Sequence, residues 1–272
     1  MLKKLLSICL LMPTLVMASG DLCDPKTSTI GDCVMEINKR IKKLEKENQA
    51  QQEEIQALKL TNGLVAYYPF NGNANDVSGN GHHGTVKGAT LTKDRLGNAD
   101  SAYEFDGTDD YIDMKDSPLI QSLVFGHGTV LVWFKTHATK WGDTVGYYNA
   151  GDGEDGFLLR YQHNGSIYFI LGDSSGNNEA YSLAKHHLGN DKWHYVANVW
   201  DGSEMFLYVD GKLVDSKPYE VRSKYHWKPV RLTVGAYPSD TSIGTFKGQI
   251  DDIRIYNRAL TDVEIKSLYK HR

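Results

Sequence analysis

Three Asn-Gly or Asp-Gly pairs in the second half of the chain each stand between two short apolar runs. Asn164-Gly165 separates Phe157–Tyr161 from Ser166–Leu171. Asp201-Gly202 separates Tyr195–Trp200 from Met205–Val209, and Asp210-Gly211 follows with Lys212–Val214 behind it. Two-residue hairpin turns need positive φ at their centre, which Asn, Asp and Gly adopt with least strain, so each pair predicts a β-hairpin. Across Gly128–Lys135, Val130, Val132 and Phe134 alternate with Leu131 and Trp133, the period of a strand. From Gly63 onward no long helical pattern interrupts these runs. The spacing predicts an all-β, two-sheet antiparallel sandwich over 63–272. A short closing helix is predicted over Thr261 to Tyr269. Thr261 and Glu264 form a capping box, and Leu260 with Ile265 a hydrophobic staple.

The segment 34–61 has another period. Val34, Ile41, Asn48 and Ile55 fall at a positions of a heptad, and Ile37, Leu44, Gln51 and Leu58 at d. Nearly all other positions are charged or amide-bearing. Arg40 can face Glu45 of a second chain, and Glu54 can face Lys59. A lone helix of this length is marginal in water. A seam confined to a and d is narrower than the stripe of a helix lying on a domain, so it predicts self-association as a coiled coil. Dimer and trimer both remain open, because the polar Asn48 and Gln51 layers blur the side-chain rule.

The first twenty residues set the compartment. Lys3 and Lys4 precede an apolar run from Leu5 to Met17, followed by Ala18, Ser19 and Gly20. This is the layout of a secretory signal peptide, and the run is short for a membrane span. An uncleaved anchor is the alternative. Cys9 is preceded by Ile8, where a lipoprotein wants a small residue. After cleavage, Cys23 and Cys33 remain in a short segment over 21–33. An oxidising compartment permits a disulfide within one chain or bridges between chains. The 272 residues carry 30 basic and 34 acidic side chains, a net charge of −4, which lacks the basic face a nucleic-acid partner needs.

Four further segments carry a family resemblance. Gly63-Leu-Val-Ala-Tyr-Tyr-Pro-Phe-Asn-Gly72 followed by Asp76-Val-Ser-Gly-Asn-Gly-His-His-Gly84 resembles the opening of bacterial laminin-G-like jelly-roll domains. Phe105-Asp-Gly-Thr-Asp-Asp-Tyr-Ile112 resembles their second signature. Trp193-His-Tyr-Val-Ala197 with Leu207-Tyr-Val-Asp-Gly211 resembles their central hairpin, and Gly248 to Thr261 their closing strand. The resemblance spans about 63–272. It implies a concanavalin-A-like jelly roll with its first and last strands side by side, and a calcium ion near the domain's chain ends. Calcium takes six to eight hard oxygen ligands. Asp76 and one of Asp251 and Asp252 are the expected carboxylate ligands, with carbonyls near Gly79 and His82. In a regular strand the two adjacent aspartates point to opposite faces, so only one would reach the ion.

Family membership does not specify a ligand. Sugar sites pair an exposed aromatic with amides and carboxylates. Two loop-like groups qualify: Trp141, Tyr147 and Tyr148 near Asp152 and Asp155, and Tyr225 with Trp227. Catalysis finds little support. Adjacent acids such as Glu154 and Asp155 would face oppositely on a strand, and there is no Gly-x-Ser-x-Gly elbow. The expectation is a secreted, periplasmic or cell-surface bacterial protein without a membrane span after signal cleavage. It is expected to be an oligomeric binding module that recognises carbohydrate or a surface glycoconjugate. An envelope protein–protein module and an atypical glycan hydrolase are the competing readings.

Overall fold

A computed structural model describes residues 29–114, 123, 126–151, 153–173, 180–184, 187–219, 231–238 and 240–270. The signal-peptide residues lie outside these. The chain divides into two compact units, Met1–Lys59 and Leu60–Arg272.

Helix α1 (Ile30–Thr61) runs through the heptad and starts four residues before it. Its start is a reciprocal cap. The Thr29 hydroxyl accepts from the Asp32 amide at 3.2 Å, and Asp32 Oδ2 accepts from the Thr29 amide at 3.1 Å. Cys33 stands in the first turn of α1, and Cys23 lies outside the described residues. The a and d side chains Val34, Ile37, Ile41, Leu44 and Ile55 are exposed.

The second unit contains β1 (Leu64–Tyr68), β2 (Gly84–Lys87), β3 (Thr90–Thr92), β4 (Ala102–Asp106) and β5 (Tyr111–Met114). Then come β6 (Gly128–Lys135), β7 (Gly142–Gly151), β8 (Gly153–Tyr161), β9 (Ile167–Asp173) and β10 (Ala180–Ala184). Last are β11 (Trp193–Trp200), β12 (Glu204–Val209), β13 (Lys212–Pro218), β14 (Leu232–Val234), β15 (Lys247–Tyr256) and helix α2 (Asp262–Lys270). One sheet has the order β13-β12-β11-β6-β15-β4-β3, with β1 also paired to β15, and the other has β10-β9-β8-β7-β14-β5-β2. Every pairing is antiparallel. The three expected hairpins are β8–β9, β11–β12 and β12–β13. At the last, Asp210 and Gly211 both take positive φ, 49° and 74°, as a two-residue turn of this hand requires.

The sheet that contains β11 is covered on both faces, which explains its continuous apolar strands. On β11, Val196 and Trp200 join the core between the sheets. Tyr195, Ala197 and Val199 join a second cluster with Leu260, Ile265 and Leu268 at α2. The helix starts at the expected capping box. Thr261 N donates to Glu264 Oε2 at 2.8 Å, and Glu264 N donates to Thr261 Oγ1 at 3.3 Å. Trp200 anchors the main core, fully buried within 6.1 Å of the Phe157 ring and 5.7 Å of the Phe169 ring. Its indole N–H donates to the Leu123 carbonyl at 2.9 Å.

Strand β15 is irregular where the sequence pairs two aspartates. Asp251 faces Trp133 of β6, and Arg254 faces Leu131, so β15 advances three residues while β6 advances two. The extra residue is a bulge, with Asp252 at φ +50°. The bulge corrects the expectation of opposite faces, because both carboxylates reach one partner. Arg95 Nη1 donates to Asp251 Oδ2 at 2.8 Å, and Nη2 donates to Asp252 Oδ2 at 3.2 Å.

Truncating the central indole tests the packing. Trp200→Ala is expected to cost about 3–5 kcal/mol in urea denaturation, the range for a large buried aromatic. A loss below about 1 kcal/mol would contradict the placement.

Candidate functional site

Four connections converge at one end of the sandwich around a cavity of about 780 Å³. They are the β4–β5 turn at Asp106–Thr108, the β6–β7 segment 137–141, the β8–β9 turn at His163, and the β14–β15 segment 242–247. Trp141, just before β7, is 40% exposed and lines this cavity. Its indole is held from behind. The Arg160 guanidinium on β8 lies 4.4 Å from the indole centroid and 5.5 Å from that of Tyr237. Arg160 is fixed by Asp143, with Nε–Oδ1 at 2.6 Å and Nη2–Oδ2 at 3.1 Å. Asp143 is fully buried, and burial pushes its carboxyl up to about 6 against the pull of Arg160. Gly244 closes the support. A Cβ there would meet Asp143 Oδ2 at 2.2 Å and the Trp141 ring at 3.1 Å, and its φ is +64°. The cavity is also lined by Thr108, Thr139, Ser242 and Thr245, together with His137, His163, Lys140 and Lys247.

A second cavity, about 740 Å³, lies under the β3–β4 loop and is also lined by Lys135, Trp193 and Gln249. Asp94 shapes that loop, accepting from the Leu96 and Asn98 amides at 2.8 Å each. The loop delivers Arg95 to the Asp251–Asp252 pair, where its guanidinium also lies 4.7 Å from the Trp133 centroid. Burial pushes the Asp251 carboxyl up to about 7. The charge of Asp252 adds to this and Arg95 opposes it.

Of the expected sugar-binding residues, Trp141 lines the first cavity. Tyr147 and Tyr148 are a correction. They stand on β7, not in a loop, and both rings are buried, Tyr147 in the core and Tyr148 against Leu158, Ile170 and Tyr237. The reason is that β7 begins immediately after Trp141 and is covered on both faces. Asp155 lies on β8 opposite Asn149 and Asp173. Asp152, Tyr225 and Trp227 lie outside the described residues.

The expected calcium ligands already have protein partners. Asp76 Oδ1 accepts from the Tyr67 and Ser78 amides at 3.0 and 2.8 Å, and Oδ2 accepts from the His82 amide at 3.0 Å. These donors hold its carboxyl below the usual carboxylate range despite burial. The His82 carbonyl accepts from the Tyr68 hydroxyl at 2.6 Å, and Gly79 turns the loop at φ +95°. Asp251 and Asp252 hold Arg95, and Asp252 also accepts from Arg254 Nε at 3.1 Å. Among the described residues, Asp106, Asp109 and Asp110 form a group of three carboxylates whose oxygens lie within 4.8 Å of one another.

Sequence reasoning missed Arg160, His137, His163, Lys140 and Lys247. Only Lys140 carries a local signal, its place next to Trp141. The others come from separate connections that only the fold assembles.

The two sheets form a jelly-roll sandwich with a loop-built cavity at one end. The chain belongs to the concanavalin A-like lectin/glucanases superfamily, whose laminin-G-type family model matches residues 106–266. A comparison with curated proteins finds no match. Among solved structures, it is similar to the receptor-binding domain of a botulinum neurotoxin C/D mosaic serotype. Identity is 16% and the TM-score 0.62, over 77% of this chain and 51% of that one. Two botulinum neurotoxin DC binding domains are also similar. One is in complex with rat synaptotagmin II, at 14% identity and TM-score 0.61, over 77% of this chain and 52% of that one. The other is in complex with SialylT, at 13% identity and TM-score 0.59, with the same coverage. The chain thus spans about half the length of these structures, and at such identities the likeness is one of fold. Among the described residues, no helix is long and apolar enough to cross a membrane.

An acid whose folded pKa is raised contributes stability below its unfolded pKa and loses it as pH rises through the folded one. Asp251 and Asp143 are both raised from 3.8, to about 7 and about 6. Stability is therefore expected to fall from pH 4 toward pH 7, and Asp251→Asn to flatten the upper part of that slope in urea denaturation. An identical slope in the variant would contradict the assignment.

Proposed function

We propose that this protein is an exported, non-catalytic glycan-binding module whose sugar site is the Trp141 cavity, displayed as an oligomer through α1. The observation that carries the reading is the exposed indole, braced by Arg160, in a cavity also lined by Thr108, Thr139, Ser242 and Thr245. An apolar ring face covers the faces of a sugar ring, and hydroxyl groups exchange hydrogen bonds with its rim. Among the described lining residues of this cavity, Asp106 is the sole carboxylate. Glycoside hydrolysis uses two flanking the scissile bond, which favours binding without turnover. The neurotoxin domain in complex with SialylT supports the same reading. Export rests on the signal-peptide pattern.

Trp141→Ala is expected to weaken capture on a glycan array at least about tenfold, about 1.4 kcal/mol, with the melting temperature unchanged. Unaltered glycan capture would refute the site. A protein ligand is the second reading, favoured by the similar domain in complex with rat synaptotagmin II. Failure of every glycan to bind, with a protein captured through the same cavity, would decide for it.

Self-association rests on the exposed a/d seam and the matched charges of Arg40 with Glu45. Multi-angle light scattering is expected to give a dimer or trimer. A variant with both Ile41→Asp and Leu44→Asp is expected to be a monomer with an unaltered sandwich melting transition. A monomeric parent protein would contradict this part. Calcium stays outside the reading. A melting temperature raised by calcium in the parent protein but not in Asp76→Asn would bring it in.

A further inference from the structure

The geometry points to a pH-sensitive clamp at His194, which holds one wall of the Trp141 cavity while its ring is protonated and loosens it when the proton leaves. The clamp would regulate the proposed glycan site. It rests on that reading only for its effect on a ligand.

His194, the second residue of β11, is 9% exposed. Its two ring nitrogens face two acceptors. Nδ1 lies 3.0 Å from Asp210 Oδ2 on the β12–β13 turn, and Nε2 lies 3.0 Å from Asn190 Oδ1 in the segment before β11. The amide of Asn190 is oriented by its other bonds. Its Oδ1 also accepts from the Lys192 amide at 3.1 Å, and its Nδ2 donates to the His187 carbonyl at 3.2 Å. Turning that amide over would set donor against donor and acceptor against acceptor. Turning the imidazole over would set ring carbons against both of its acceptors. Asp210 is equally committed, since its Oδ1 accepts from the Tyr195 amide at 3.0 Å. Each ring nitrogen therefore needs a hydrogen, and only the imidazolium carries two. A neutral ring keeps one bond and sets a lone pair against the other acceptor. The Asp210 carboxylate is the stronger acceptor and draws the remaining hydrogen to Nδ1, so the bond lost is the one to Asn190.

Asn190 is on the side of the cavity. Its neighbour Gly189 lies against the Tyr161 hydroxyl, where a Cβ would come within 2.0 Å, and that hydroxyl donates to the Ala138 carbonyl at 2.9 Å. On the other side, the Asp191 amide donates to the Thr136 carbonyl at 3.0 Å. His137 and Ala138 line the cavity. Asp191 takes φ +58°, a conformation that costs a residue with a side chain, so its bonds must hold it there. Among the described residues, the charged groups on the elements around the ring are Asp210 and Lys212 at the turn, Asp191 and Lys192 in the segment, and Lys135 on β6. The Phe134 ring of β6 lies 6.3 Å from the imidazole. Lys135 and His137 pair with Asp191, at 3.6 and 3.9 Å. His137 is thus a second titrating group on the same segment, and the test separates it from His194. The two bonds of the imidazolium are complete in acid and are lost as pH rises, within the range of about pH 5 to 8 where histidines change charge.

Hydrogen exchange of the full chain, read by mass spectrometry, tests the clamp. Protection of 187–192, corrected for the intrinsic pH dependence of exchange, is expected to fall at least about fivefold from about pH 5.5 to about pH 8, with β8 and β9 unchanged. His194→Gln is expected to remove this step, and His137→Gln to keep it. Imidazole nitrogen NMR of the parent protein, which needs no variant, is expected to show both His194 nitrogens protonated at about pH 5.5. Affinity for a glycan selected on an array is expected to fall at least about threefold over the same rise in pH, because the ligand must then order the wall it binds against. In His194→Gln it is expected to stay level. A neutral His194 ring at acid pH would overturn the clamp. So would an equal exchange step in His194→Gln, or a step abolished by His137→Gln. An exchange step with a pH-independent glycan affinity would overturn its hold on the site. Failure of every glycan to bind would overturn the glycan reading, and the exchange step would still decide the clamp.

Discussion

Strand β15 is the element on which the rest of the sandwich is hung. Its first four residues pair with β4, its last with β1, and nearly its whole length with β6. It therefore fastens the start of the domain to its end and leads directly into α2, which covers the outer face of the same sheet. The bulge at Asp252 brings two carboxylates to Arg95, and Arg254 pairs with Asp252 as well. A buried acidic pair is costly unless each charge is matched. The β3–β4 loop that carries Arg95 is thereby fixed, and with it the wall of the second cavity.

The same strand positions the site at its other end. Lys247 enters the Trp141 cavity immediately after the loop whose Gly244 packs on Asp143 and the indole. The brace of Asp143, Arg160 and Trp141 crosses from β7 to β8 and back to the loop before β7, so the exposed ring is set by a buried ion pair. Such support limits the ordering a ligand must impose when it binds. The superfamily supplies the sandwich, and the chain's own loops supply the cavity lining. Fold membership by itself therefore says little about the ligand.

Much of the architecture was legible in the sequence because its signals are local. Asn164-Gly165, Asp201-Gly202 and Asp210-Gly211 each turn between the strands expected of them, and Thr261 with Glu264 caps α2. What was not legible depends on partners distant in sequence. Asp251 and Asp252 read as alternating because a bulge has no signature in a two-residue window. Arg95 and Asp251 are 156 residues apart. Tyr147 and Tyr148 read as loop aromatics because the glycines around them resemble a turn, yet β7 continues through them with both faces covered. Trp141 was recognised by its own character. The lysines and histidines around it were not, since four separate connections bring them together.

The central claim is that a ligand engages the exposed indole of Trp141 while the buried tryptophans serve packing. The most direct measurement is the two-dimensional NMR spectrum of the five tryptophan indole N–H groups during titration with a glycan selected on an array. The Trp141 signal is expected to shift in proportion to ligand bound, while those of Trp200 and Trp133, enclosed in the two apolar clusters, stay in place. A Trp141 signal that does not move under saturating ligand, while other indole signals do, would contradict the account.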